Sequence, residues 1–184
     1  MNKTRTRILL SLAALLVLAP ALHAQAVYAA KEYFKLQAGA GAMYLDNDYT
    51  NRAAEGIAIW GDCDFTHFRG LLIGAEAEVH MGGIITPDDI GENSYLVGPR
   101  FSIQRRKFAV YAKILLGRAS ITNQNLNTSS SYNVIPAYGG GLDYRLSRKI
   151  NIRVVDIEMQ KWPNFEPNTL SPLSVTIGAS YVFK

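Results

Sequence analysis

Ser174-Val175-Thr176-Ile177-Gly178-Ala179-Ser180-Tyr181-Val182-Phe183-Lys184 closes the chain and decides how the rest is read. Val175, Ile177, Ala179, Tyr181 and Phe183 fall on one side of an extended backbone. Ser174, Thr176, Gly178 and Ser180 fall on the other, because successive side chains of a strand point to opposite faces. A strand with one oily face, one polar face and aromatics near its end is the pattern of a barrel closed within a membrane.

The opposite end of the chain agrees. Lys3, Arg5 and Arg7 precede an apolar run from Ile8 to Ala21, broken only by Ser11 and Pro20. Ala24-Gln25-Ala26 then supplies small residues around a cleavage point. Together these read as a secretory signal over residues 1–26, cut after Ala26 or, as the next choice, after Ala24. The apolar run is too short to span a bilayer as a helix. Residues 27–184 are expected to form a single domain. Three of the 19 basic residues leave with the signal and all 15 acidic ones stay, so the formal charge falls from +4 to +1. Basicity is therefore no argument for nucleic acid. Cys63 is the only cysteine, so no internal disulfide staples the fold in an oxidising compartment. No later stretch holds 18 consecutive apolar residues. An exported chain of this kind is either soluble in the periplasm or a barrel.

Alternation at period two predicts eight strands: Tyr33–Leu45, Gly56–Phe68, Leu71–Met81, Tyr95–Arg105, Phe108–Ile121, Val134–Leu146, Ile150–Gln160 and Leu173–Phe183. Each is about 11 residues, the length of a tilted strand that crosses a bilayer. Arg69-Gly70, Arg106-Lys107 and Ser147-Arg148-Lys149 read as tight turns. Asp46–Glu55, Gly82–Ser94, Thr122–Asn133 and Lys161–Pro172 read as long polar loops. Short turns at one end and long loops at the other are expected of an outer-membrane barrel with both termini on the periplasmic side. The turns are basic, and the loops are acidic through Asp46, Asp48, Glu55, Asp88, Asp89, Glu92 and Glu166, against Arg52 and Lys161. These acids read first as solvated loops. A second reading has them bridging anionic lipids through divalent ions, but no loop has a regular metal-ligand spacing. Aromatics gather near strand ends: Tyr33, Phe34, Tyr44, Phe68, Tyr95, Phe108, Tyr144, Tyr181 and Phe183. Membrane barrels carry such girdles at both interfaces.

Mid-strand charges of both signs share the face opposite the oily one. They include Lys35, Asp62, Asp64, Glu76, Glu78, His80, Arg100, Lys113, Asp143, Arg145 and Arg153, with Gln37, Thr66, Ser102, Gln104, Tyr111 and Asn151 between them. An Arg or Lys facing hydrocarbon at the midplane costs roughly 2–4 kcal/mol, so this face must point inward. Eight strands leave an interior just wide enough for side chains to fill, and enclosed charges must pair. A three-residue turn at Ser147–Lys149 sets Asp143 opposite Arg153, and a two-residue turn at Arg106-Lys107 sets Arg100 opposite Lys113. The second pair repels unless carboxylates intervene. We expect a lumen network of Glu76, Glu78, Arg100, Lys113, Asp143 and Arg153. Beyond Arg153 the alternation slips, so that Asp156, Glu158 and Gln160 become the polar set. A bulge near Val155 or Asp156 explains the slip. So does a strand that has risen above the bilayer, where the outside of the barrel is wet.

Two segments resemble a known family. Thr176, Gly178, Tyr181 and Phe183 look like the terminal signal by which bacterial outer-membrane barrels are recognised for assembly, although Lys184 follows the final aromatic. Gly140 to Arg153, G-G-L-D-Y-R-L-S-R-K-I-N-I-R, resembles a hairpin of the membrane domain of outer membrane protein A and related small barrels. The likeness, over about residues 31–184, implies an eight-stranded barrel. In it, an acid and an arginine across this hairpin meet in the lumen, at Asp143 and Arg153. Glu76 and Arg100 match the family's third-strand glutamate and fourth-strand base. No counterpart of the peptidoglycan-binding domain that some members add is visible, so cell-wall tethering is not expected.

Catalytic readings fare poorly. His80 shares a face with Glu78 and Glu76, and Ser94 lies in the next loop without a motif around it, so no Ser–His–acid arrangement is complete. Gly139-Gly140-Gly141 lacks the helix and the Lys-Ser/Thr pair of a phosphate loop; small residues that let side chains fill the lumen are the better account. Cys63 falls on the oily face. The reading that results is all-β: an eight-stranded antiparallel up-and-down barrel in a Gram-negative outer membrane. Its expected role is structural or surface-interacting, with a lumen plugged by charged side chains. A small-solute or weak ion channel is the alternative; a lipid-modifying enzyme and a soluble periplasmic calycin stand behind it. Expected partners are outer-membrane lipid, lipopolysaccharide and the barrel-assembly machinery. A monomer with no enzymatic activity, cofactor, metal site or nucleic-acid partner is expected.

Overall fold

A computed structural model describes residues 34–46, 48, 53–83, 90–123, 128–163, 165 and 169–183. The signal segment, Tyr33, Arg52, Asp88, Asp89, Glu166 and Lys184 lie outside these residues. Eight strands follow in chain order: β1 Lys35–Asp46, β2 Ala54–Phe68, β3 Leu71–Gly82, β4 Ile90–Arg105, β5 Phe108–Asn123, β6 Thr128–Arg145, β7 Ile150–Gln160 and β8 Leu173–Phe183. Each pairs antiparallel with the next, and β8 pairs back onto β1, which closes the barrel.

The turn chemistry explains the meander. Arg69 and Gly70 both have positive φ, 50° and 88°, as a two-residue type I′ hairpin requires. Arg106 takes φ 54° at the next tight turn. At the third, the Ser147 hydroxyl accepts the backbone N–H groups of Lys149 and Ile150 at 3.2 and 3.1 Å. These three turns share one end of the barrel with the start of β1 and the finish of β8.

Two strands begin five or six residues before the alternation predicts. β4 begins at Ile90 and β6 at Thr128, and their added residues pair with β5 from Arg118 to Asn123. Glu92 and Ser94 therefore belong to β4, not to a solvated loop; both side chains are buried. The slip in β7 is a bulge. The ladder shifts between Leu142 and Asp143 on one side of β7 and between Arg153 and Asp156 on the other. The extra residue returns Asp156, Glu158 and Gln160 to the inside. A second shift, between Asp64 and Thr66, ends the inward pattern of β2, so Thr66 is exposed. Arg145 is exposed as well, at the turn end of β6.

The barrel is inverted relative to a water-soluble protein. Val97, Val110 and Ile177 stand 59, 61 and 55% exposed on its outside, while Arg100, Lys113 and Arg153 are 1% exposed within. Cys63 is half-exposed on the oily side. Tyr44, Phe68, Phe108, Tyr181 and Phe183 are exposed near strand ends and Tyr95 is exposed within β4; Tyr181 meets Phe183 and Phe108 meets Tyr144, each with ring centroids 5.1 Å apart. No helix among the described residues is long and apolar enough to cross a membrane; the strands provide the crossing.

Two small apolar clusters lie at the loop end. Met43, Leu45, Ala54 and Ala58 form one on β1 and β2. Leu96, Leu115, Ala119, Val134 and Ala137 form the other, joined by Trp162 and Leu170 from the connection between β7 and β8. Tyr132 stacks on Trp162 with centroids 5.8 Å apart. The sequence reads as a long polar loop over Lys161–Pro172, yet Trp162 is wholly buried.

Candidate functional site

The inward face carries the polar chemistry of the molecule. In register, Arg100 lies beside Lys113 and Asp143 beside Arg153. Carboxylates separate the cations. The Arg100 guanidinium meets Asp62 at 2.7 Å, Asp143 at 2.7 Å and Glu76 at 3.1 Å. Arg153 meets Glu76 at 2.6 Å and Glu78 at 2.9 Å, with Asp156 at 3.5 Å and Asp143 at 3.7 Å. The Lys113 ammonium sits among Glu78, Asp156 and Glu158 at 2.7, 2.9 and 3.1 Å. All six residues expected in the lumen are therefore buried together. The structure adds Asp62, Asp156 and Glu158.

Aromatic rings space the two guanidinium groups. Arg100 and Arg153 stand 4.1 and 5.1 Å from the Tyr111 ring centroid, and Arg153 stands 4.0 Å from that of Trp60. Ring faces attract cations at these distances. The Tyr111 hydroxyl donates to Asp156. Glycines make room for the rings: a Cβ on Gly39 would meet the Trp60 indole at 2.6 Å, and one on Gly141 would meet the Tyr111 hydroxyl at 2.6 Å. Gly141 therefore serves lumen packing, and a Cβ on Gly139 would meet the Ile157 carbonyl oxygen of the neighbouring strand at 2.5 Å.

Toward the turn end, Gln37 donates to Asp62 at 2.8 Å and accepts from Asn151 at 2.7 Å. Toward the loop end lies a second group. His80 Nε2 is 3.4 Å from Glu78 and its Nδ1 is 3.8 Å from Glu158. The Gln160 amide reaches Ser94 at 3.2 Å and Glu158 at 3.1 Å, and its carbonyl accepts the Trp162 indole N–H at 3.0 Å. Ser94 stands opposite His80 in the ladder but takes its hydrogen bond from Gln160. His67 is exposed, far along β2 at the turn end.

Charge does not balance inside. Among the described residues, Asp62, Asp64, Glu76, Glu78, Glu92, Asp143, Asp156 and Glu158 are buried, against Arg100, Lys113, Arg153 and the titratable His80. Half-buried Lys35 lies close to Asp64 and Asp62 at the turn end.

On β8, Thr176 is buried and Gly178 faces inward beside it, whereas Tyr181 and Phe183 are 44 and 46% exposed. A Cβ on Gly178 would meet the Trp60 ring at 2.8 Å. The terminal motif is thus split between lumen and belt.

An oily exterior around a charged interior, closed by eight antiparallel strands, defines an integral membrane β-barrel. Over residues 11–183 the chain matches the outer membrane protein beta-barrel domain family, and it belongs to that family. It is a protein of the outer membrane. Neisserial surface protein A is similar in structure: TM-score 0.51 at 14% identity, over 82% of this chain and 96% of that one. Ail, the attachment invasion locus protein of Yersinia pestis, gives 0.49 at 18% identity, over 82% and 97%. OprG of Pseudomonas aeruginosa gives 0.49 at 11%, over 82% and 96%. Identities this low speak for the fold alone. No protein of curated function matches the chain in sequence.

Proposed function

We propose that this protein is a closed, non-catalytic barrel with a structural or surface-interacting role, its lumen plugged by ion pairs. The observation that carries the reading is the bridging of β2 to β7 by Arg100, Lys113 and Arg153 through carboxylates at 2.6–3.1 Å. Buried pairs of this kind resist opening, because separating them leaves charges unpaired in a low dielectric. The apolar clusters around Trp162 and Leu45 add a second constriction at the loop end. Catalysis is disfavoured because His80 is held between Glu78, Glu158 and Gln160, and the Ser94 hydroxyl is turned to Gln160.

The exposed apolar belt faces lipid acyl chains. Exposed Arg118 and Lys161, toward the loop end, meet the anionic groups of lipopolysaccharide. Tyr181 and Phe183 are offered outward to the assembly machinery. With β1 paired to β8, no strand edge remains for edge-to-edge pairing with a second copy, which supports a monomer. In planar bilayers the purified protein is expected to give no steady openings. A reproducible unitary conductance would favour the alternative, a small-solute or ion channel.

A further inference from the structure

We propose that the loop-end half of the lumen is a binding site for one divalent first-row transition-metal ion, held by His80, Glu78 and Glu158 with Glu92 beside them. One ligand atom from each of His80, Glu78 and Glu158 lies within 4.8 Å of the other two, and all three residues are buried. An ion with bonds of roughly 2.0–2.2 Å holds its ligands about 3–4 Å apart, so these side chains close by about an ångström around it. The inference goes beyond the structural reading and does not depend on whether the barrel conducts.

An acidic cluster alone would carry little, and Lys113 already pairs with Glu78 and Glu158. Glu92 is the independent observation. Its residue is 5% exposed, and it makes no hydrogen bond or ion pair among the described residues. It occupies the inward position of β4 next above Ser94, and Ser94 stands opposite His80. Its electrostatic neighbour is His80. Glu92 is thus a buried carboxylate one inward position along β4 from the residue that faces His80, an imidazole that already has two acids around it. Among the described residues, Lys113 is the only fixed cation in contact with Glu78, Asp156 and Glu158 apart from Arg153, which is shared with Glu76. Enclosed carboxylates in excess of bases need compensation, and a dication supplies it.

The donor set selects the ion. An imidazole nitrogen suits zinc and its neighbours, whereas an all-oxygen cage would suit magnesium or calcium. At the loop end of the site β3 and β4 turn Gly82, Glu92 and Ser94 inward, and the Leu45 side chain packs over Gly82.

The test uses the untagged protein purified from outer membranes in detergent, with folding checked by the compact band of unboiled samples. Titration with Zn2+ is expected to show one saturable site per chain that Mg2+ does not fill. His80→Gln should weaken Zn2+ about 10- to 100-fold, Glu92→Gln should weaken it severalfold, and the distant His67→Gln should not change it. Zinc-edge X-ray absorption of the wild-type protein should report a single imidazole with oxygen ligands, and this reading decides the matter if His80→Gln does not fold. Absence of saturable binding, full affinity in folded His80→Gln, or a shell without imidazole would overturn the proposal.

Discussion

Arg100→Ala is expected to cost the barrel about 3–5 kcal/mol, the range for removing one partner of a buried pair. The side chain holds Asp62, Asp143 and Glu76 at 2.7, 2.7 and 3.1 Å, and it lies over the Tyr111 ring. Those carboxylates come from β2, β6 and β3, so one guanidinium ties together strands on different sides of the lumen. Alanine leaves all three acids enclosed, with Arg153 the nearest remaining partner of Glu76 and Asp143. Arg100→Lys should recover only part of the loss, because a point charge cannot reproduce the planar fork that reaches three acceptors. Urea unfolding in detergent, together with the temperature at which the compact gel band disappears, measures the effect. Unchanged heat stability in Arg100→Ala would show that the ion pairs do not hold the barrel.

Gly178→Val is expected to cost about 1–3 kcal/mol through overpacking. Gly178 lies within the terminal motif that resembles an assembly signal, and the structure gives it a second duty. Its missing side chain leaves space for the Trp60 ring, which also rests against Gly39. A Cβ would meet the backbone of Ala40 and Gly41 on β1 as well. Displacing Trp60 disturbs Arg153, whose guanidinium is 4.0 Å from the indole centroid. Refolding into detergent separates the two duties, since no assembly machinery is present. A lowered midpoint for the refolded variant supports packing. An unchanged midpoint alongside failed assembly in cells would assign the glycine to the signal alone.

The membrane-crossing part of the fold was legible in the sequence because hydrocarbon and lumen impose opposite chemistry on alternate residues. Ile73, Ala75 and Ala77 against Glu76 and Glu78 reveal both strand and sidedness. Beyond the belt the outside is wet and the alternation disappears. Gly91 to Ser94 and Thr128 to Asn133 hold no aliphatic side chain, yet they continue the ladders of β4 and β6. Glu92 was therefore read as a loop acid, although it is buried. The inward order of Glu92, Ser94 and Leu96 was the available signal. Asp156 and Glu158 were visible as polar residues out of step, but only the bulge in β7 shows that they join Lys113. Asp62 reads as inward-facing without a partner, because its contact with Arg100 skips over β3 instead of passing between adjacent strands.

Closure by β1 and β8 has a consequence for biogenesis. These strands pair from Leu36–Phe183 to Asp46–Leu173, joining the earliest and latest parts of the fold. A chain halted before Leu173 would leave the backbone groups of β1 and β7 bare toward hydrocarbon, which tolerates no such edge. Insertion must then be all-or-none. Translation has to finish before the last hydrogen-bonded seam can be sewn, and premature stop codons upstream of it should yield no partial product in the membrane.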